Sequence, residues 1–353
     1  MIKETITLND VAAEAGVSSA TVSRVLNKHP QINNATRSRV YDAIQRLGYN
    51  TRAIEKKVAA RSVAEIRTLN IELLICPLPE QKNMLSLEYF GEIFGGIQSF
   101  FNQTGNINLT IATWEADEAL YGRQNQAILK KTMQMDGVLV MGNPSDQLLA
   151  QMQESGLDPV LIANNRSKIV FNTVTADDIT GGMEAARCLI RRGHRKIGFL
   201  AGPERISGWA GRLNGAMLET MLTLGADHFS FRRSESTENQ DAAQTLRDWL
   251  DEGTCPEALI VPCGQYVLAV ERVLLERNMS CPEHLSLVSF DSFGIGTFTI
   301  RPTRLDTFPR QIGIKAAQRL IQMLQYPHSE ENPHKVVIPM ELVEGTSVKD
   351  LSR

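Results

Sequence analysis

The sequence of 353 residues has few cysteines and no long apolar segment. Its five cysteines are odd in number, and no two have the two-residue spacing of a zinc or thiol-redox site, which favours a reduced protein without a bound metal. No stretch approaches the roughly 20 apolar residues of a membrane span, and the first residues lack the apolar run of a signal peptide. We therefore expect a cytoplasmic protein with no membrane partner.

The motifs of common enzyme families are also missing. The segment GEIFGGIQ, residues 91–98, lacks the G-x-G-x-x-G spacing of a phosphate-binding loop, no G-x-S-x-G elbow or Walker lysine occurs, and the six histidines are scattered. We expect no catalytic residues and no cofactor. With 42% hydrophobic side chains, the chain is longer than one core usually serves, so two or three domains are expected.

The net charge of −3 is divided unevenly along the chain. Residues 1–68 contain 11 Lys and Arg against 6 Asp and Glu, a balance of +5, so the remaining residues carry −8. A basic segment of this size suits a negatively charged partner such as nucleic acid. The alternative is a solvated surface that happens to carry more basic than acidic side chains, which explains the same count.

The stretch TLNDVAAEAGVSSATVSRVLN, residues 7–27, has the signals of two short helices. Thr7 and Asp10 have the spacing of a capping box, Gly16 suits a left-handed turn, and Ser18 suits the N-cap of the second helix. A third helix is predicted from Asn33 or Asn34 to Gly48. The predicted core of this three-helix unit is Val11, Ala12, Ala15, Val22, Val25, Leu26, Val40, Ile44 and Leu47.

The outer face of the second helix suits the major groove of DNA. Small residues permit close approach, and an Arg can pair with a guanine edge. This face carries Ser19, Ala20, Ser23 and Arg24. The residues placed to meet phosphates are Thr21, Asn27, Lys28, His29, Arg37 and Arg39. The alternative is a helical hairpin with no ligand.

Residues 7–27, together with RVYDAIQRLGYN at 39–50, resemble the DNA-binding domain of the LacI/GalR bacterial transcription regulators. The resemblance implies a helix-turn-helix domain over 1–49 and a hinge over 50–68 that enters the minor groove upon dimerisation. It also implies that Ser19, Ala20 and Arg24 read bases. The predicted DNA-binding residues are Thr7, Ser18, Ser19, Ala20, Thr21, Ser23, Arg24, Asn27, His29, Arg37, Arg39, Tyr49 and Val58.

The hinge departs from that family. The proline that commonly follows the tyrosine is missing after Tyr49, and the chain continues as NTRAIEKKVAARSVAEIRTLN. Val58 matches the wedge position, but Glu55 stands where a small residue normally approaches the minor groove, and its carboxylate would repel phosphates. We expect a hinge helix that inserts less strongly into the minor groove.

From Leu69 onward, short apolar runs alternate with amphipathic segments, which predicts an α/β body with parallel sheets. The predicted strands are LNIELLIC, INLTIATW, MDGVLVMG, DPVLIAN, RKIGFLAG, PEALIVPC and LSLVSF. LIRRGHRKIGFLAGP and the segment from LSLVSFD onward resemble the same family, whose body is like a periplasmic sugar-binding protein with two Rossmann-like lobes. The resemblance implies a first lobe of about 69–171 and 300–328 and a second of about 172–299 and 329–353.

Ligands of such folds lie between the lobes, outside the carboxyl ends of the strands. By resemblance, Asp291 accepts sugar hydroxyls, Arg212 lies near the effector, and Asn164 stands at a usual contact position. Tyr89 and Phe90 suit stacking on a sugar, although aromatic residues at a helix start often belong to a core, and Asp291 could simply cap a turn. The predicted effector residues are Tyr89, Phe90, Asn164, Trp209, Arg212, Cys263, Gln265 and Asp291.

Two polar contacts typical of the family are absent: Cys263 and Gly264 replace an Asn-Asp pair, and Gly208 replaces a serine. This loss should change or weaken effector binding. We expect a nucleoid-associated bacterial repressor that binds palindromic double-stranded DNA as a homodimer and responds to a carbohydrate effector. The alternatives are a soluble sugar-binding protein or a sugar-modifying α/β enzyme with an accessory helical head.

Overall fold

The computed structural model describes residues 7–26, 34–47, 67–78, 84–163, 169–291, 299–325 and 334–352. The chain divides into two compact units, Met1–Thr68 and Leu69–Arg353, which we call the head and the body. The division falls where the composition changes from basic to acidic.

The head contains three helices, α1 Leu8–Ala15, α2 Ser19–Leu26 and α3 Asn34–Leu47. The predicted capping box is present: the Thr7 N–H donates to the Asp10 carboxylate (2.7 Å), and the Asp10 N–H donates to Thr7 Oγ1 (3.4 Å). Gly16 ends α1 with φ 62°, a conformation that glycine adopts without strain. The Thr21 N–H donates to Ser18 Oγ (3.1 Å), so Ser18 caps α2 as predicted.

The core of the head joins all three helices. The predicted residues Val11, Ala12, Ala15, Val22, Val25 and Val40 are buried together with Ala43. The predicted Ile44 and Leu47 are partly buried against this cluster. The side chain of Leu26 and the predicted helix end at Gly48 lie outside the described part of the chain.

The body alternates strands and helices along most of its length. In chain order these are β1 Leu69–Cys76, α4 Glu88–Thr104, β2 Ile107–Thr113, α5 Glu118–Thr132, β3 Gly137–Gly142, α6 Asp146–Glu154, β4 Val160–Ile162, β5 Asn172–Ala176, α7 Asp178–Arg191, β6 Ile197–Ala201, α8 Ser207–Thr223, β7 Phe229–Arg233, α9 Asn239–Asp251, β8 Ala258–Ile260, α10 Gly264–Glu276, β9 Ser286–Phe290, β10 Thr303–Asp306, α11 Pro309–Gln325, β11 Lys335–Ile338 and β12 Glu341–Val343.

These strands form two six-stranded sheets, each the centre of one lobe. The first sheet has the order β11-β5-β4-β3-β1-β2 and is parallel throughout. The second has the order β12-β10-β9-β8-β6-β7, and β12 runs antiparallel to β10. Each predicted apolar run coincides with a strand. The central strands are buried on both faces, as parallel sheets require, whereas the edge strand β2 is half-exposed.

Helices cover both faces of each sheet. In the first lobe, α4 and α11 cover one face, and residues of α5 and α6 join the core on the other. In the second lobe, α7 and α8 cover one face and α9 and α10 the other. The chain crosses between the lobes between β5 and α7, between β10 and α11, and between β11 and β12.

The lobe boundaries differ from the sequence-based ones. The first crossing comes after Ala176 instead of 171, the second after Asp306 instead of near 300, and the third after Ile338 instead of 328. β5 and β11 therefore belong to the first lobe, and β10 belongs to the second. The reason is that NTVTA, TRLD and KVVI are short or polar, so only pairing with a neighbouring strand assigns each one to a sheet.

Candidate effector site and DNA-binding surface

A cavity lies between the two lobes of the body, at the carboxyl ends of their strands. The volume inside it that the centre of a water molecule can occupy is about 120 Å³. The first lobe contributes the start of α4 and residues near the ends of β3, β4 and β5, and the second contributes the starts of α7, α8 and α10 and the residue after β9. The lining residues are Leu87, Glu88, Tyr89, Phe90, Gly142, Asn143, Ala163, Thr175, Asp178, Ile206, Ser207, Gly208, Trp209, Arg212, Cys263, Gly264, Gln265 and Asp291.

A buried ion cluster forms the second-lobe wall of this cavity. Arg212, on α8, donates from Nε to Asp178 Oδ1 (2.9 Å) and from Nη1 to the Pro262 carbonyl (2.6 Å). Its Nη1 lies 3.6 Å from Asp291 Oδ2. The guanidinium carbon lies 4.6 Å from the centre of the Phe290 ring. Arg212 thus holds both carboxylates at the edge of the cavity.

Asp291 also connects this cluster to a crossing between the lobes. Its backbone has φ 61°, a left-handed conformation that turns the chain sharply after β9. Oδ1 accepts a hydrogen bond from the Thr307 N–H (3.2 Å) and another from the Thr307 hydroxyl. Thr307 follows β10, where the chain returns to the first lobe. Asp291 therefore fixes a turn, as the alternative interpretation held, and also lines the cavity.

Burial controls the protonation of the groups around the cavity. It raises the pKa of Asp178 and of Asp291, and the Arg212 guanidinium opposes both shifts. The pKa of Tyr89 is raised by burial and further by Asp291. Burial raises the pKa of Cys263 to about 12, so its thiol stays protonated at neutral pH.

Aromatic rings complete the lining. Trp209 packs edge to face on Tyr266, with 5.3 Å between ring centres, and the Tyr266 hydroxyl donates to the Ser236 carbonyl (3.0 Å). A Cβ atom at Gly202 would lie 2.3 Å from the Trp209 ring, so glycine is needed beneath the indole. Tyr89 and Phe90 line the cavity and also pack against the first-lobe core. Their place in the core is therefore confirmed, and their stacking on a sugar stays a prediction.

The cavity brings together seven of the eight predicted effector residues: Tyr89, Phe90, Trp209, Arg212, Cys263, Gln265 and Asp291. Asn164 lies outside the described residues, although its neighbour Ala163 lines the cavity. That these residues bind an effector stays a prediction. Asp178, which accepts a hydrogen bond from Arg212, was not predicted from the sequence. Its position in Ala-Asp-Asp, immediately after a strand, is the signal that could have found it.

The head presents part of the predicted DNA-binding surface. Ser19, Ala20 and Arg24 are exposed on one side of α2, while Thr21 is half-buried and its hydroxyl lies 2.8 Å from that of Ser18. Arg39 is exposed and donates to Thr36 (3.5 Å), and Thr7 is exposed within the capping box. Asn27, Lys28, His29, Tyr49, Glu55 and Val58 lie outside the described residues, as do the side chains of Ser23 and Arg37.

Two protein-family descriptions match this chain. Residues 7–52 match the bacterial regulatory proteins of the lacI family, and residues 186–348 match a periplasmic binding protein-like domain. The first match covers the three helices of the head, and the second covers most of the second lobe. The chain belongs to the LacI family. Its members are transcription regulators, so this protein is a DNA-binding regulator of transcription and the enzyme alternative is set aside.

Relatives of this LacI-family protein align along most of its length. Catabolite control protein A of Priestia megaterium is 29% identical over 303 residues, which cover 84% of this chain and 85% of the relative. The HTH-type transcriptional repressor PurR of Escherichia coli is 28% identical over 353 residues, which cover 98% and 97%.

Solved structures share the fold. A lac repressor dimer bound to operator and the anti-inducer ONPF has a TM-score of 0.69 at 21% identity, covering 98% of this chain and 100% of that one. A complex of the transcriptional regulator CelR with cellobiose has a TM-score of 0.68 at 24% identity, covering 97% and 99%. These likenesses confirm the predicted helix-turn-helix head and two-lobed α/β body.

The described residues contain neither a membrane-spanning helix nor a metal-binding cluster. No helix among them is both long enough and apolar enough to cross a membrane. In the same part of the chain, no group of three or more His, Cys, Asp or Glu side chains is arranged to hold a metal ion.

Proposed function

We propose that this LacI-family protein is a homodimeric repressor that binds a palindromic operator and releases it when a small sugar or glycoside occupies the cavity between the lobes. The observation that carries the effector part is the buried cluster of Arg212, Asp178 and Asp291. It offers fixed polar groups to a ligand and is bonded to a crossing between the lobes. In this function the protein acts in the bacterial cytoplasm, at the nucleoid.

The operator-binding part rests on α2. An α-helix fits the major groove, small residues such as Ser19 and Ala20 permit close approach, and Arg24 can pair with a guanine edge. One three-helix unit makes few base contacts, so a palindrome read by a two-fold dimer doubles them. The lac repressor structure described as a dimer on its operator supports this assembly.

The effector part rests on the position of the cluster. Asp178 begins α7 immediately after the first crossing, and Thr307 lies in the second. A ligand that contacts both lobes changes their arrangement only by binding one arrangement more tightly than the other, a coupling of about 1–3 kcal/mol. In this mechanism the new arrangement moves the two hinge segments of the dimer, residues 50–68, apart. Because short isolated helices are only marginally stable in water, the separated segments would no longer support operator binding.

A neutral sugar is the ligand class that we favour, and a galactoside or related glycoside is the first candidate. Structural neighbours described with bound cellobiose, glucose and ribose support a carbohydrate. A half-buried tryptophan beside fixed carboxylates suits a ring that has an apolar face and several hydroxyls.

Operator binding and effector response can be tested separately. A thermal-shift screen of sugars identifies the effector, because a ligand of the folded state raises its apparent stability. Asp291→Ala should then bind operator like the parent protein but no longer release it with that effector. Arg24→Ala should lose about 1–3 kcal/mol on operator and relax specificity at one base pair, whereas Arg39→Ala should weaken all DNA sequences alike.

Three outcomes contradict these assignments. Equal losses on operator and random DNA for Arg24→Ala remove its base-reading role. An unchanged effector response in Asp291→Ala places the ligand elsewhere. Tighter operator binding in the presence of the effector makes the ligand a corepressor.

A further inference from the structure

The indole of Trp209 is packed closely against two residues of the second lobe, Gly202 and Tyr266, which we call the indole seat. A Cβ atom at Gly202 would lie 2.3 Å from both Cε3 and Cζ3 of the indole. Carbon atoms in ordinary contact are about 3.5–4.0 Å apart, so only a residue without a side chain admits the indole here. The indole also packs edge to face on Tyr266, with 5.3 Å between ring centres.

The backbone of Gly202 is fixed by the neighbouring strand. Gly202 directly follows β6, and its carbonyl accepts a hydrogen bond from Arg233 Nη1 (2.6 Å). The carbonyl of the preceding Ala201 accepts another from the Ser234 N–H (2.9 Å). Moving this backbone away from the indole would break bonds to β7 and to the residue after it. A methyl group added at Gly202 should therefore displace the indole instead.

Tyr266 is fixed in a similar way from behind. Its side chain is fully buried in the core that α9 and α10 share. Its hydroxyl lies 2.5 Å from Ser234 Oγ and donates to the Ser236 carbonyl (3.0 Å). A buried tyrosine ring whose polar end is bonded has little freedom to move. Both parts of the indole seat are thus anchored to the end of β7 and the turn after it.

The helix starts beside Trp209 bring small groups to the cavity. Gly208 and Gly264 have no side chain, and the thiol of Cys263 is a weak hydrogen-bonding group. The half-buried indole is the largest apolar surface that these helix starts contribute. A sugar ring presents C–H groups on its faces and hydroxyls at its edge, so an apolar face can lie on the indole while hydroxyls reach polar groups.

We propose that Gly202 and Tyr266 are positioning residues for effector recognition. They fix the Trp209 indole in the cavity wall before any ligand binds, and the fixed indole selects a ligand that has a rigid apolar ring face. A preformed surface needs no ordering when the ligand arrives, which favours affinity. The proposal rests on the proposed function in taking the cavity for the effector site. It narrows the ligand class to cyclic sugars, in preference to acyclic polyols with similar hydroxyl groups.

The first experiment measures the position of the indole without any ligand. Of the three tryptophans, Trp114 and Trp249 are buried and Trp209 is half-buried. The difference in acrylamide quenching between a protein and its Trp209→Phe counterpart therefore reports on Trp209. Gly202→Ala should raise the quenching constant of Trp209 at least about twofold, because the new methyl group displaces the indole toward water.

Gly198→Ala, on the same strand, is the matched control. Its Cβ would lie 3.0 Å from the Trp249 ring, so the strain falls on the other side of the sheet. The quenching constant of Trp209 should then equal that of the parent protein. A Trp209 constant that Gly202→Ala leaves unchanged would overturn the proposal.

A double-mutant cycle separates positioning from general damage to the fold. Gly202→Ala should lower the urea midpoint, and at least about half of this fall should disappear in a Trp209→Ala background. The rest arises from the Tyr266 hydroxyl, which lies 3.0 Å from the added Cβ. Gly198→Ala should lower the midpoint equally in both backgrounds. Equal falls for Gly202→Ala in both backgrounds would contradict the indole seat.

The second experiment tests ring selection by calorimetry. Galactose, glucose and ribose are compared with galactitol, glucitol and ribitol, the acyclic alditols that lack a ring face. The sugar that the parent protein binds most tightly should bind at least about tenfold more tightly than its alditol. Gly202→Ala and Trp209→Leu should each reduce this ratio at least about threefold. Tyr266→Phe, which keeps the ring but loses the anchoring hydroxyl, should reduce it less, and Gly198→Ala should keep the parent ratio.

The outcomes separate this proposal from the proposed function. If Gly202→Ala lowers the ring preference but the sugar leaves operator binding unchanged, the positioning role stands and the sugar-responsive repressor fails. If the sugar releases operator equally well from the parent protein and from Gly202→Ala, at the same concentration, the proposed function stands and the positioning role fails. Binding of none of the three sugars contradicts both.

Discussion

The two lobes of the body share a frame but differ in what they bring to the cavity. Each has a six-stranded sheet covered by helices on both faces. The second lobe supplies the buried charges, Arg212, Asp178 and Asp291, together with Trp209. The first lobe supplies Tyr89, Phe90 and small or uncharged groups, with Glu88 at the rim. The repeated frame fixes where a ligand can lie, and the residues at the strand ends and helix starts determine what it can be.

The likeness extends to how the helices pack. In the first lobe, a Cβ atom at Gly96 of α4 would lie 2.1 Å from the Arg310 carbonyl oxygen, and one at Gly313 of α11 would lie 2.0 Å from that of Ile93. In the second lobe, Gly182 of α7 and Gly215 of α8 have the same relation to Arg212 and Ile179, at 2.1 and 2.0 Å. In each helix pair, both helices therefore carry a glycine that lies against the backbone of the other helix.

The largest expected effect on stability comes from removing a buried charge, which only the second-lobe wall of the cavity supplies among the described residues. Arg212→Met should lower the free energy of unfolding by about 3–5 kcal/mol, because it leaves two carboxylates buried without their partner. Tyr89→Phe, in the opposite wall, should cost less than about 1.5 kcal/mol. Urea unfolding measures both. Arg272→Met, at an exposed position of α10, is the control and should change little. Equal losses for Arg212 and Arg272 would remove the distinction between buried and exposed ion pairs.

The glycine contacts test the shared frame. Gly96→Ala and Gly182→Ala should each destabilise the body by about 1–3 kcal/mol, because the new methyl group meets a backbone carbonyl that cannot move alone. Gly95→Ala is the matched control: its Cβ would meet only the Arg310 side-chain tip at 3.1 Å, so higher helix propensity should dominate. Thermal or urea unfolding gives the sign of each change.

The same two substitutions should also differ in their effect on effector binding. Gly182 contacts the backbone of Arg212, so Gly182→Ala should weaken effector binding as well as stability, whereas Gly96→Ala should affect mainly stability. Titration of each variant with the identified effector measures this. Equal weakening by both would mean that the helix pairs influence the cavity alike.

A smaller effect is expected from the bond between Asp291 and the second crossing. Thr307→Val removes the hydroxyl that donates to Asp291 and should cost about 1–2 kcal/mol of stability. It should also reduce the effect of the bound effector on operator affinity. This reduction should be larger than the change in operator affinity measured without effector. Thr245→Val, which removes an exposed helical hydroxyl, serves as control and should be near neutral. Gel-shift titrations with and without effector test the coupling.

The smallest effect concerns pH. Because burial raises the pKa of Asp291 above its ordinary value of 3.8, the folded state holds this proton at a pH where the unfolded chain has lost it. The contribution of this group to stability is therefore largest at acid pH and declines as pH rises through the raised pKa. Relative to Asp291→Asn, the parent protein should gain stability as pH falls from 7 toward 4. Urea unfolding at several pH values compares the slopes, and parallel slopes would contradict the raised pKa.

The sequence was most informative where local patterns are strong. The head follows from spacing alone: Thr7 and Asp10 form the cap, Gly16 takes the left-handed turn, and the apolar positions of α1 and α2 meet in one core. In the body, every apolar run became a strand, because a strand of a parallel sheet that is covered on both faces has few polar positions.

Other features were decided only by tertiary structure. The short strands β5, β10 and β11 carry no signal of the sheet that they join, so the crossings were predicted 5 to 10 residues early. Asp178 is polar and follows a strand, but its bond to Arg212, 34 positions away, exists only because α7 and α8 pack through their glycines. Periodicity and caps arise from neighbours in the chain and can be read in order, whereas the charge of a cavity arises from residues that folding brings together.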